Sequence, residues 1–222
     1  MSHTKKLVIV GNTTNARLAK WYFEKDSKYE VCAFAVNEAY IQEKIWLGLP
    51  VVAFEMMEKY YPPSKFDAFV AIGYSKMNKI REKMYHETKN KGYFLPNYIS
   101  SRCSFLSEEE LGDNNLILED NTIQPFVRIG NDNVFWSGNH IGHDTIILDH
   151  NFISSHVVVS GYCTIKNNCF IGVNATLHNE VVLEMESLVA AGAIIARKTI
   201  ERGVYLPPKS ILFKKASDEI NF

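Results

Sequence analysis

Residues 135–171 read FWSGNHIGHDTIILDHNFISSHVVVSGYCTIKNNCFI, with an apolar residue at every sixth position: Phe135, Ile141, Ile147, Ile153, Val159, Ile165 and Ile171. The phase extends outward without insertion, back through Ile129, Ile123 and Ile117 to Leu111, and on through Leu177, Leu183 and Val189 to Ile195. Only 46% of the chain is hydrophobic, so composition alone does not generate such a run. A helix does not generate it either, because six residues make about 1.7 turns. Four places after most of these positions stands a residue of small or modest size: Val127, Thr145, Val157, Cys163, Cys169, Ala175, Val181, Ser187 and Ala193. Glycine and polar residues fill the gaps, as in IGND, IGHD and IKNN. A short fixed period of this kind belongs to a repeat architecture.

Upstream the period changes. KLVIV (6–10) is a short apolar run ending at Gly11, and TNARLAKWYFEKD then spaces Leu18, Ala19, Tyr22 and Phe23 as one helical face. YEVCAFAV (29–36) and FDAFVAIG (66–73) read as further strands. KMNKIREKMYHETKNKG reads as a helix with Ile80 and Met84 inward and Gly92 as its stop. Alternating strands and helices predict a small Rossmann-like parallel sheet over residues 1–105, followed by the repeat unit over residues 106–222.

At 222 residues the chain is long enough for two compact units. A net charge of −1 gives no global electrostatic reason to expect a nucleic acid or an anionic membrane as partner. No apolar run reaches bilayer length. The N-terminal apolar run is followed by a turn and reads as a strand rather than a signal peptide. Cys32, Cys103, Cys163 and Cys169 form no CxxC pair, so reduced thiols and a cytoplasmic location are expected.

The six-residue pattern resembles the hexapeptide repeat of left-handed parallel β-helices. That resemblance implies a triangular prism in which each hexapeptide forms one side and eighteen residues make one coil. Residues eighteen apart then stack at strand spacing, roughly 4.8 Å. Four of the seven histidines, His140, His143, His150 and His156, lie within twenty residues of this unit. The prism sends His150 and His156 to successive sides, facing away from each other. One chain therefore does not gather these four around a zinc ion, which needs three or four convergent ligands.

His143 is the histidine to examine. Imidazole accepts protons near neutrality and works best when a carboxylate fixes its tautomer. Asp144 follows it directly, with Asp149 and Glu119 as other possible orienters. Gly161, eighteen residues on, falls one coil away, where a bare backbone N–H is able to meet an oxyanion. A corner histidine that merely bonds a neighbouring loop is the plainer alternative.

The whole chain resembles bacterial nucleotide-sugar acetyltransferases that join a Rossmann-like domain to a left-handed β-helix, a group including bacillosamine-precursor and perosamine N-acetyltransferases and sialic acid O-acetyltransferase-like proteins. KLVIVGN, FVAIGYSKMNKIREKMYHETKNKGYFLPNYIS, IGHD and ERGVYLPPKSIL carry the likeness. It implies an acetyl-CoA-dependent enzyme acting on the amine of a UDP- or dTDP-linked amino sugar as a homotrimer, with no metal. By the same resemblance His143 is the general base, Asp144 its acidic neighbour, and Gly161 the amide at the thioester. Phe152, Val173, Ala191 and Lys209 would contact coenzyme A, with Lys214 and Lys215 available to its phosphates. The turn GNTTNA holds a single glycine, too weak for a dinucleotide fingerprint. Thr13, Thr14, Asn15, Asn37, Gly73 and Tyr74 are the expected nucleotide-sugar contacts. An O-acetyltransferase on a sialic acid-type sugar, a γ-class carbonic anhydrase-like zinc lyase and a non-catalytic trimeric binding module are the rival readings.

Overall fold

The computed structural model describes residues 5–212 and 214–220. The first unit runs β1 (Lys5–Val10), α1 (Thr14–Asp26), β2 (Tyr29–Val36), β3 (Ile45–Trp46), β4 (Leu49–Ala53), α2 (Met57–Tyr60), β5 (Asp67–Val70) and α3 (Lys79–Asn90). Its sheet has the order β3-β4-β2-β1-β5. β4, β2, β1 and β5 are parallel, and β3 is an antiparallel edge. The unbroken apolar run of β1 follows from burial on both faces. Leu7 and Ile9 pack with Phe23 of α1 on one side, whereas Val8 and Val10 pack with Met57 and Met84 on the other.

Helix α3 departs from expectation in its inward face. Met84 is buried as predicted, but Ile80 is 39% exposed and Arg81 is fully buried. The guanidinium reaches polar groups of the repeat unit that an isoleucine would leave unpaired. Gly92, at φ +85°, follows the helix in the left-handed conformation expected of a stop.

The repeat unit is a three-faced prism of two-residue parallel strands. One face stacks seven, from Tyr98–Ile99 through Val134–Phe135 and Phe152–Ile153 to Val204–Tyr205. A second stacks six, from Ser104–Phe105 through His140–Ile141 to Ile194–Ile195, and a third stacks four, from Arg128–Ile129 to Val182–Leu183. Strands eighteen residues apart pair in register, as His140 does with Val158. The sixth-position residues from Ile117 to Ile195 fill the interior with at most 4% exposure, and Cys163 and Cys169 lie among them.

The polar spacers have their own reason. Three residues after most interior positions the backbone turns left-handed, with φ between 55° and 62° at Asn114, Asp120, Asp132, Asp144, His150, His156, Asn168 and Asn174. Asn, Asp and His tolerate that conformation better than branched residues do. Inside, asparagines stack as a ladder. Asn97, Asn115, Asn133 and Asn151 each accept, at 2.8–2.9 Å, the backbone N–H of the residue eighteen positions on.

That ladder begins at Asn97, and Tyr98–Ile99 and Ser104–Phe105 already belong to the prism faces. The boundary expected between residues 105 and 106 thus falls inside the first coil. Ile99 and Phe105 keep the six-residue phase, which the sequence reading began only at Leu111.

The seven-stranded face packs against the first unit. Tyr98, Leu116, Val134 and Phe152 share a core with Phe23 and Phe69. Beside this apolar seam lies a polar one. Arg81 donates from Nε to Asp132 Oδ2 at 3.1 Å, and from Nη2 to the carbonyls of Asp132 at 3.1 Å and Asn151 at 3.0 Å. Asn78 donates to the carbonyl of Cys169 at 3.0 Å. The chain therefore fixes α3 to the prism through main-chain acceptors that every coil presents.

Candidate functional site

Two polar concentrations emerge, one on a prism corner and one at the end of the first sheet. The corner lies between the six-stranded and four-stranded faces. His143 Nδ1 stands 2.8 Å from Asp144 Oδ2, which fixes the tautomer and leaves Nε2 as the acceptor. The other orienters expected from sequence are engaged elsewhere. Asp149 accepts from the backbone and side chain of Asn131, and Glu119 accepts from Tyr22 and Ser137. The His143 backbone is fixed on both sides, by Gln124 Oε1 at 2.9 Å and by Tyr162 N–H on its carbonyl at 2.9 Å. The Tyr162 ring meets the imidazole edge-on, with centroids 5.0 Å apart. About half of the His143 side chain remains exposed.

Gly161 lies against the imidazole, since a Cβ there would stand 2.9 Å from Nε2 and Cε1. Its carbonyl accepts from Glu180, whereas its N–H finds no acceptor among the described residues. A base with a fixed tautomer thus lies against a glycine whose N–H is unpaired among the described residues, a pair of groups able to take a proton and to stabilise a developing oxyanion. The cysteines stand apart from it. Burial pushes the Cys169 thiol up to about 12 and raises that of Cys163.

The second concentration is a cavity of about 540 Å³ at the carboxyl ends of β1, β2 and β5. In the order β4-β2-β1-β5, the chain leaves β1 for β2 on one side and places β5 on the other. A crevice outside the strand ends is expected at that reversal. Of the residues expected to contact the nucleotide sugar, Thr13, Asn15, Asn37, Gly73 and Tyr74 line it, while Thr14 does not and is exposed as the first residue of α1. Gly11, at φ +130°, lets β1 pass within reach of Ala71, whose carbonyl oxygen would lie 2.8 Å from a Cβ. Asn15 Nδ2 comes equally close to Gly73. Asn37 donates to Glu55 Oε1 at 3.0 Å, which lowers the Glu55 pKa and leaves the Asn37 carbonyl oxygen as its free function.

Tyr40, Gln42 and Ser75 also line the cavity, and sequence reading missed them. They come from loops with no periodicity to betray their direction. Tyr74 has a second role unforeseen from sequence, because its ring packs 4.9 Å from Phe152 and 4.8 Å from Phe170.

The expected coenzyme contacts scatter. Phe152 is 4% exposed and stacks on Phe170 in the seam, so its ring is already covered by protein. Aromatic stacking across two coils, rather than a ligand, occupies that position. Val173 and Ala191 are solvent-exposed at the corner after the seven-stranded face, twelve and thirty residues from Gly161 and on a different corner of the prism. Lys209, Lys214 and Lys215 are exposed in the tail. No helix among the described residues is long and apolar enough to cross a membrane.

No protein-family model matches the chain. Solved structures do resemble it. The acetyltransferase domain of PglB from Neisseria gonorrhoeae matches with a TM-score of 0.80 at 19% identity, covering 92% of this chain and 100% of that one. PerB from Caulobacter crescentus, solved in complex with CoA and GDP-perosamine, matches with a TM-score of 0.79 at 20% identity, over 90% of this chain and 92% of that one. WeeI from Acinetobacter baumannii gives 0.65 at 18% identity, over 86% and 96%. The chain shares the fold of these proteins over nearly its whole length.

Proposed function

We propose that this protein is an acetyl-CoA-dependent N-acetyltransferase acting on a nucleotide-linked amino sugar, built as a Rossmann-like unit on a left-handed β-helix. The observation that carries this reading is the His143–Asp144 pair resting on Gly161 at an exposed prism corner. The fold-level likeness to PerB, which was solved with CoA and GDP-perosamine, supports the same substrate classes here. The cavity at the first sheet is the place for the nucleotide sugar.

The chemistry needs no acyl-enzyme. The neutral sugar amine attacks the thioester carbonyl, and Gly161 N–H meets the oxyanion. His143 Nε2 takes the proton from the attacking nitrogen while Asp144 stabilises the imidazolium. Collapse expels the coenzyme A thiolate, which recovers a proton from the imidazolium.

The geometry suits a site shared between chains. The cavity lies beside the seven-stranded face, where Tyr74 meets Phe152, whereas His143 occupies the corner opposite that face. A neighbouring copy brings a His143 corner to the cavity of the first. A homotrimer is the arrangement that repeats this contact on all three sides. Val158 at 41% and Ile194 at 65% exposure point outward from the six-stranded face and suit such burial.

The test is free-thiol release from acetyl-CoA against UDP-, dTDP- and GDP-linked 3- and 4-amino sugars, with hydroxyl analogues to detect O-transfer. Turnover with an amino sugar, abolished in His143→Ala while acetyl-CoA still binds, is the expected result. Full activity in that variant removes the mechanism, and thiol release only with hydroxyl acceptors replaces N- by O-transfer.

A further inference from the structure

His150, which the prism separates from the other histidines of its own unit, meets one from the first unit instead. Glu82 and His86 sit four residues apart on α3, hence on one face. One potential ligand atom from each of Glu82, His86 and His150 lies within 4.8 Å of the other two. The rings of His86 and His150 have centroids 5.4 Å apart. His150 is 4% exposed, and its Nδ1 is held 2.8 Å from Asp132 Oδ2, so Nε2 is the nitrogen left to face a ligand. A carboxylate on the far nitrogen is the support that metal-ligating histidines regularly have. Asp132 is itself fixed by Arg81 and by Asn114, whose Nδ2 donates at 2.7 Å. Lys79 and Asn168 both engage Glu82 Oε2, at 3.1 Å and 3.0 Å, leaving Oε1 for another partner.

We propose that Glu82, His86 and His150 form a divalent transition-metal site that clamps α3 to the prism, with zinc the ion that fits the donors. Two imidazoles and one carboxylate are a zinc donor set, with a fourth position left for water. Zinc ligands at about 2.0–2.2 Å stand roughly 3.3 Å from one another, so closure needs about 1.5 Å of movement at most. Exposed His86 is free to supply it. Nearby charges nearly balance: Glu82, Asp132 and Glu186 oppose Lys79 and Arg81. The site lies on the seam, uses neither Gly161 nor any residue lining the sheet-end cavity, and does not depend on the transferase reading.

The experiment uses the untagged full chain, stripped with a chelator and titrated with zinc and with cobalt(II). One equivalent per chain, a tetrahedral cobalt spectrum and a zinc-dependent rise in Tm are expected. His86→Ala, at an exposed position, and Glu82→Gln, which keeps the size of the side chain, should weaken binding at least tenfold and lose the Tm shift while keeping the wild-type far-UV spectrum. Absence of saturable binding by the wild type, or equal binding by both variants, overturns the site and leaves the transferase proposal untouched.

Discussion

Gly161 and His143 stand one coil apart with no room for a methyl group between them, since a Cβ on residue 161 would lie 2.9 Å from His143 Nε2. Gly161→Ala should therefore displace the imidazole while the fold survives, as no positive φ is involved at that position. A misplaced base costs roughly 10²-fold in kcat. Steady-state kinetics with an accepted amino sugar measure it, and unchanged kcat would show that the ring need not rest on the backbone. The adjacent expectation for His143→Ala is a loss of roughly 10²–10⁴-fold in kcat.

Asn15 faces the sheet-end cavity with its amide held over Gly73. If the nucleotide sugar binds there, Asn15→Ala removes a contact that ground and transition states share. KM for the sugar should rise about tenfold, a loss of about 1.4 kcal/mol, with kcat and KM for acetyl-CoA unchanged. A fall in kcat alone would place the cavity outside substrate binding.

Arg81 and Asp132 form an ion pair with both side chains fully buried. Arg81→Met strands the carboxylate and leaves two prism carbonyls without their donor. The expected cost is about 3–5 kcal/mol, read as a lower urea midpoint. A change below 1 kcal/mol would show that Asp132 protonates or finds water at little cost.

Asp26 ties α1 to the first coil. Burial alone would raise its pKa, but the Ser101 N–H, with Tyr98 and Ser100, more than offsets this and holds it below the usual 3.8. A carboxylate depressed in the folded state stabilises above its unfolded pKa and loses that contribution as pH falls through the folded value. Asp26→Asn should thus lower stability at neutral pH, by about 1 kcal/mol, and converge on wild type at acid pH below the folded value. Urea titrations at both pH values decide it, and a pH-independent difference would assign the loss to packing.

Cys163 and Cys169 face the prism interior with raised thiol pKa values. An alkylating reagent at neutral pH should modify them only after denaturation, while half-buried Cys32 reacts first. Mass spectrometry of labelled peptides tests this. Rapid native labelling of Cys169 would mean that the prism opens locally.

The interior positions of the repeat were legible in the sequence because they are periodic, whereas the prism entered through the resemblance to the hexapeptide repeat. Each coil repeats one register, so Ile117 through Ile195 declare the interior and the Asn, Asp and His spacers declare the left-handed corners. That His143, Asp144 and Gly161 come together was legible for the same reason, since one residue or one coil separates them. The first sheet was readable from β1, β2 and β5, whose apolar runs reflect burial on both faces. Relationships between the two units were not. Nothing in α3 distinguishes an inward Arg81 from an inward Ile80 until the carbonyls of Asp132 and Asn151 stand opposite it. Phe152 carried no mark of its contact with Tyr74, and His150 none of its approach to His86, 64 residues away in the chain. Local period fixes how each unit folds, whereas docking depends on surfaces that meet only once both are formed.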